Sequence, residues 1–138
     1  ETCGFAPEDA FLSVISRMDL VMMDVKLVDP EEHRRWTGAS NELILANLRA
    51  LIRSGVPFRA RVPLIPGVSD SDENLEATAR LLKGAENLER VELLRYNRSA
   101  GAKYALVGEE YRPDFDVDKE PNLNLAIFEQ YGIKAVAL

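Results

Sequence analysis

Cysteine, histidine and tryptophan occur once each in these 138 residues, and the first two scarcities exclude chemistry. The single cysteine, Cys3, has no partner for an intrachain disulfide. It also rules out an iron–sulfur cluster or structural zinc held by several thiolates of this chain. The single histidine, His33, has no serine or cysteine nucleophile paired with it, which argues against a hydrolytic triad. No apolar run approaches the roughly 18 residues of a membrane span, and no secretory signal pattern is present. Walker loops, dinucleotide fingerprints and internal repeats are missing too. Seventeen basic side chains against 23 acidic ones give a net charge of -6, without the positive footprint that nucleic acid requires. These absences predict a cytoplasmic chain with neither nucleic acid nor membrane among its partners.

What is present describes one modest globular domain, residues 1–138, with 46% hydrophobic and 29% charged residues. The chain opens without methionine on Glu1-Thr2-Cys3-Gly4-Phe5, which reads as a strand end and turn. The expectation is a piece of a larger protein. Pro7 suits the first turn of a helix carrying Phe11, Leu12, Ile15 and Met18. Leu20 to Lys26 reads as a buried parallel strand, and Asp29-Pro30-Glu31-Glu32 as a helix start. A longer helix is predicted from Asn41 to Ser54, ended by Gly55, and a strand from Phe58 to Leu64. Ser71 caps a further helix that Gly84 closes, and Arg90 to Leu94 forms a strand. Residues 96–118 read as irregular; Asn122 to Tyr131 reads as a last helix and Ile133 to Leu138 as a terminal strand. This alternation predicts an α/β fold with a parallel sheet built from right-handed βαβ units. Glu1, Asp24, Lys26, Arg61, Arg95 and Asn97 fall at predicted strand ends, and the carboxyl edge of such a sheet carries the ligand site.

Asp24 and Lys26 share one strand face at a spacing of two. They read either as a pair offering an acceptor and a donor to a zwitterionic ligand or as a strand-end ion pair with no ligand. Arg61 reads as an interior cation needing a carboxylate, from a ligand or from Asp24, or as a solvated strand end. The Pro63 to Val68 stretch reads as a shaped rim, Cys3 as a small buried thiol, and His33 as a surface or partner-facing group.

In order, ETCGF at Glu1 to Phe5, DLVMMDVK at Asp19 to Lys26, and HRRWTGASNELILANL at His33 to Leu48 resemble one known family. RARVPLIPGVSD at Arg59 to Asp70, VELLRYN at Val91 to Asn97, and GAKYALVGEEY at Gly101 to Tyr111 continue the match. The family is the radical S-adenosylmethionine enzymes that activate glycyl radical enzymes, the pyruvate formate-lyase activating enzyme group. The resemblance implies the second half of a partial (β/α)6 TIM-like barrel, with the family's CxxxCxxC triplet and Gly-Gly-Glu stretch absent. It implies S-adenosylmethionine and a 4Fe-4S cluster as cofactors of the full-length enzyme. A reduced cluster there cleaves the cofactor to methionine and a deoxyadenosyl radical, which removes a hydrogen from a backbone glycine of the partner. By the same resemblance, Asp24 and Lys26 match an Asp-x-Lys motif at the cofactor, and Arg61 matches an arginine lining that site. Glu1, Thr2, Asp24 and the Met22 carbonyl match a monovalent-cation site, whose oxygen donors suit a hard ion. Asn97 stands where the family commonly has a histidine and keeps only hydrogen-bonding capacity. The implied partners are a glycyl radical enzyme and an electron donor. The isolated chain is expected to be inactive and to self-associate through exposed strand edges. Other readings of the same motifs are a radical maturase for another substrate and a non-catalytic cofactor-binding or interaction module.

Overall fold

The computed structural model describes the backbone of residues 1–138 and every side chain except those of Arg98, Ala100 and Ala105. Four strands, β1 (Val21–Asp24), β2 (Phe58–Leu64), β3 (Leu88–Arg95) and β4 (Ala135–Ala137), form one sheet in chain order. All three pairings are parallel. Helices α1 (Glu8–Ile15), α2 (Pro30–Thr37) and α3 (Glu42–Ser54) flank β1, and α4 (Asp72–Leu82) joins β2 to β3. The short helices α5 (Ala102–Leu106) and α6 (Ala126–Gln130) precede β4.

Alternation decides which face of the sheet is covered. Along β2, Phe58, Ala60, Val62 and Leu64 are buried, while Arg59, Arg61 and Pro63 are only half-buried. The buried set joins Met23, Val25, Val91 and Leu93 in one core with Phe11 and Ile15 of α1, Leu48 and Leu51 of α3, and Leu75 and Leu82 of α4. The helices therefore cover one face. The opposite face carries Met22, Asp24, Arg59, Arg61, Arg90 and Glu92 in register.

Local chemistry explains the element ends. Asp29 caps α2 by accepting hydrogen bonds from the N–H groups of Glu31 and Glu32 at 2.9 and 2.8 Å. Ser71 caps α4 by accepting one from Asn74 N–H. Gly55 ends α3 with a φ of 74°, a conformation that costs a side chain strain. Gly4 adopts the same left-handed region at a φ of 71°, and a Cβ there would displace the terminal methyl of Met23.

Two predicted elements differ. Residues 96–118 are not wholly irregular, because a 3₁₀ turn (Arg98–Gly101) leads directly into α5. The last helix begins at Ala126 rather than Asn122. Asn122 donates its N–H to Asp70, and the Asn122 and Asn124 amides both donate to Asp72, so this stretch is held to the start of α4 instead of coiling. Among the described residues, no helix is long and apolar enough to cross a membrane.

Candidate functional site

The carboxyl end of β1 and the middle of β2 bring together Asp24, Lys26 and Arg61 of the charged groups singled out above. Asp24 lies beside Arg61 in the β1–β2 register, and Arg61 lies beside Glu92 in the β2–β3 register. Val25 is buried against the helices, so its neighbours Asp24 and Lys26 project to the open face. Lys26 Nζ donates to Asp24 Oδ2 at 2.9 Å. Their side chains are 40% and 20% exposed, which leaves both heads within reach of a solute. Each is also underused: an ammonium has three donors, and Asp24 keeps a second carboxylate oxygen.

Arg61 does not pair with Asp24. Its Nε donates to Glu92 Oε2 at 2.9 Å and its Nη1 donates to Glu1 Oε2 at 2.6 Å. The hydrogen bond to Glu92 raises the Arg61 pKa further, against the opposing effect of burial. Arg61 is engaged by Glu92 and Glu1, which leaves Asp24 to Lys26. Arg61 is thus a half-buried cation with two carboxylate partners: Glu1, already noted at a strand end, and Glu92, which the sequence reading did not single out.

That residue, Glu92, is 1% exposed. Arg90 donates to its Oε1 from Nε at 2.9 Å and from Nη2 at 2.7 Å, and Arg59 Nη1 stands 3.8 Å away. Burial pushes the Glu92 carboxyl upward, but the hydrogen bonds and charges of Arg61 and Arg90 outweigh that and hold it below the usual carboxylate range. A glutamate amid the apolar run Val91-Glu92-Leu93-Leu94 was the available signal, and only the strand register shows that it meets Arg61.

Glu1 and Thr2 extend the sheet beyond β1. Thr2 N–H donates to the Met22 carbonyl at 2.9 Å, and Asp24 N–H donates to the Thr2 carbonyl at 3.0 Å. The four oxygen-bearing residues Glu1, Thr2, Met22 and Asp24 are therefore on adjoining strand ends. The Thr2 hydroxyl accepts a hydrogen bond from Gly4 N–H. Among the described residues, no group of three or more His, Cys, Asp or Glu side chains is arranged to hold a metal ion. Asn97 lies past β3, where its side-chain oxygen accepts from Ser99 N–H and caps the 3₁₀ turn.

Two expectations about other residues change. Cys3 is exposed rather than buried. Thr2 is in register with the core residue Met23, so alternation sends Cys3 to the open side. His33 is buried, not a surface group: its Nδ1 lies 2.9 Å from the Ala39 carbonyl and 3.0 Å from the Thr37 hydroxyl, and the ring closes the loop after α2.

With this geometry in place, comparison with known proteins is informative. No family model matches the chain. A choline trimethylamine-lyase activating enzyme from Oleidesulfovibrio alaskensis is 36% identical over 114 residues, covering 80% of this chain and 37% of its own length. An isethionate sulfite-lyase activating enzyme from Desulfovibrio desulfuricans is 36% identical over 140 aligned residues, covering 100% of this chain and 42% of its own length. The chain thus spans about two fifths of the length of these curated relatives. A crystal structure of a domain of pyruvate-formate lyase-activating enzyme from Bacteroides vulgatus superposes with a TM-score of 0.76 at 25% identity. That match covers 99% of this chain and 78% of the other. The homologues of this chain in sequence, and a structural neighbour in fold, are thus activating enzymes of glycyl radical enzymes.

Proposed function

We propose that residues 1–138 form the C-terminal, S-adenosylmethionine-binding portion of a radical enzyme that installs a glycyl radical on a partner such as pyruvate formate-lyase. The observation that supports this reading is the placement of Asp24 and Lys26 on the open face at the carboxyl end of β1, with Arg61 beside Asp24 midway along the neighbouring parallel strand β2. A ligand with an ammonium and a carboxylate finds complementary groups there. Asp24 accepts from the ammonium, Lys26 and Arg61 donate to the carboxylate and ribose oxygens, and the buried sheet beneath keeps these heads from collapsing inward. Asn97 contributes through its amide N–H, since its oxygen is committed to the 3₁₀ turn.

The residues present fit S-adenosylmethionine and do not fit the cluster. One exposed cysteine cannot hold a 4Fe-4S group, so no electron-transfer step is assigned to this chain. When bound beside such a cluster, S-adenosylmethionine supplies the hydrogen-abstracting chemistry; the side chains described here bind and orient it. The Met22 carbonyl and the Glu1 and Asp24 carboxylates are hard oxygen donors, which suit a monovalent cation better than a thiophilic metal, while Thr2, its hydroxyl turned to Gly4 N–H, sets Glu1 beside β1. The segments 29–41, with α2, and 97–108, with the 3₁₀ turn and α5, come after β1 and β3 in the chain, and in this reading they shape entry of a partner's glycine segment.

The test is electron paramagnetic resonance of the partner's glycyl radical. The longer activating enzyme containing this segment is reconstituted anaerobically and compared with its Asp24→Asn variant. The expected outcome is a radical signal that the substitution removes, while the 138-residue chain alone gives none. An undiminished signal in the variant, or turnover by this chain alone, would overturn the reading.

A further inference from the structure

Glu92 is the most deeply buried charge on the open face, and its two oxygens are divided between neighbours. Oε1 receives both donors from Arg90, and Oε2 receives Nε of Arg61. A carboxylate with only a neutralising role would be served by Arg90, which already engages it twice. The bond to Arg61 does something else. It fixes the guanidinium through Nε, while Glu1 takes Nη1 at 2.6 Å. The remaining nitrogen, Nη2, makes no hydrogen bond among the described residues. A planar guanidinium held at two nitrogens has its third nitrogen set in direction, at little further entropic cost on binding.

We propose that Glu92 is a positioning residue for the ligand site, holding Arg61 so that Nη2 is left as a preset donor to an anionic or hydroxyl group of the ligand. The proposal rests on the reading of Arg61 as part of the S-adenosylmethionine site. The arrangement also accounts for the two charged layers of the open face. Arg59 and Arg90 lie two register positions before the Arg61–Glu92 pair, on the same face of the sheet. Arg59 is drawn to Glu89 at 2.8 Å, so it does not compete at close range for Glu92. Arg90 holds one oxygen of Glu92, and the other is left to aim Arg61.

The experiment measures S-adenosylmethionine affinity and thermal midpoint in the anaerobically reconstituted longer enzyme, for Arg61→Ala, Glu92→Gln and the double variant. Arg61→Ala is expected to weaken binding by about tenfold, the size of one charged hydrogen bond. Glu92→Gln is expected to weaken it by a similar factor, raising KM for the cofactor with kcat little changed. The double variant should then bind no worse than Arg61→Ala alone, because Glu92 acts only through Arg61. Should Glu92→Gln fail to fold, Glu92→Asp carries the same comparison, since it keeps the charge and shortens the reach. Loss of thermal stability with unchanged affinity would overturn the proposal, as would a Glu92 effect that persists in full without Arg61. An Arg61→Ala variant that binds normally would instead overturn the assignment of Arg61 to the site.

Discussion

Replacing Lys26 with methionine separates holding the fold from holding a ligand. The methionine keeps most of the side chain's length and apolar stem and removes only the ammonium. The lost contact is a 2.9 Å ion pair whose members are 40% and 20% exposed, so both charges are screened by water. Pairs of this kind contribute about 0.2–1 kcal/mol. At the size of this chain, 1 kcal/mol corresponds to a shift of about 3–5 °C in Tm, and to less in a longer enzyme, so the variant should melt no more than a few degrees lower. Ligand binding should respond more strongly. A charged hydrogen bond to a bound carboxylate contributes about 1.5–3 kcal/mol, which corresponds to roughly 10- to 150-fold in Kd. Isothermal titration with S-adenosylmethionine, set beside a melting curve, reads both quantities on the longer enzyme. A variant that loses several kcal/mol of stability, yet binds the cofactor as tightly as its parent, would refute the reasoning.

Other outcomes follow from single features of the fold. Leu51→Ala should cost about 2–5 kcal/mol in urea denaturation, because Leu51 is fully buried where α3 meets the sheet. Asp29→Ala should cost about 1 kcal/mol by removing the acceptor that serves two backbone N–H groups of α2. The folded state holds the Glu92 carboxyl below its ordinary value of 4.5, so its contribution to stability is present above that pH. It is lost as pH falls through the lower folded value; Glu92→Gln should flatten this acid limb in urea midpoints taken between neutrality and pH 3. At the other extreme, burial and a hydrogen bond with Tyr96 push Tyr111 up to about 12. The packing of these two rings should therefore hold below pH 10 and loosen as pH rises towards that value, read by tyrosinate absorbance.

The sheet was legible in the sequence because its punctuation is strong. Pro7, Asp29-Pro30, Gly55 and Ser71 each mark a boundary by fixing φ, supplying a cap or permitting a left-handed turn. Phe58–Leu64 alternates cleanly, and its ends coincide with β2. The face shared by Asp24 and Lys26 was readable from spacing alone. The pairing of Arg61 with Glu1 and Glu92 was not, since nothing local says which strand residues lie beside it. Glu92 becomes visible only when β2 and β3 are set in register. Helix α5, at Ala102–Leu106, is too short to show a periodic apolar face. The delayed start of α6 depends on contacts from Asn122 and Asn124 to the distant Asp72, which no local pattern encodes.

Strand order that follows chain order has a consequence for how this sheet is assembled. Each new strand docks on the one completed just before it, and no segment has to be threaded between two strands already paired. A chain emerging from the ribosome can therefore add β2 to β1, β3 to β2 and β4 to β3 without undoing an earlier pairing. The outer edge of β1, already bridged by Thr2, is the side where such a series is open to an earlier unit. A fold of this kind grows by accretion, one strand and its helical cover at a time.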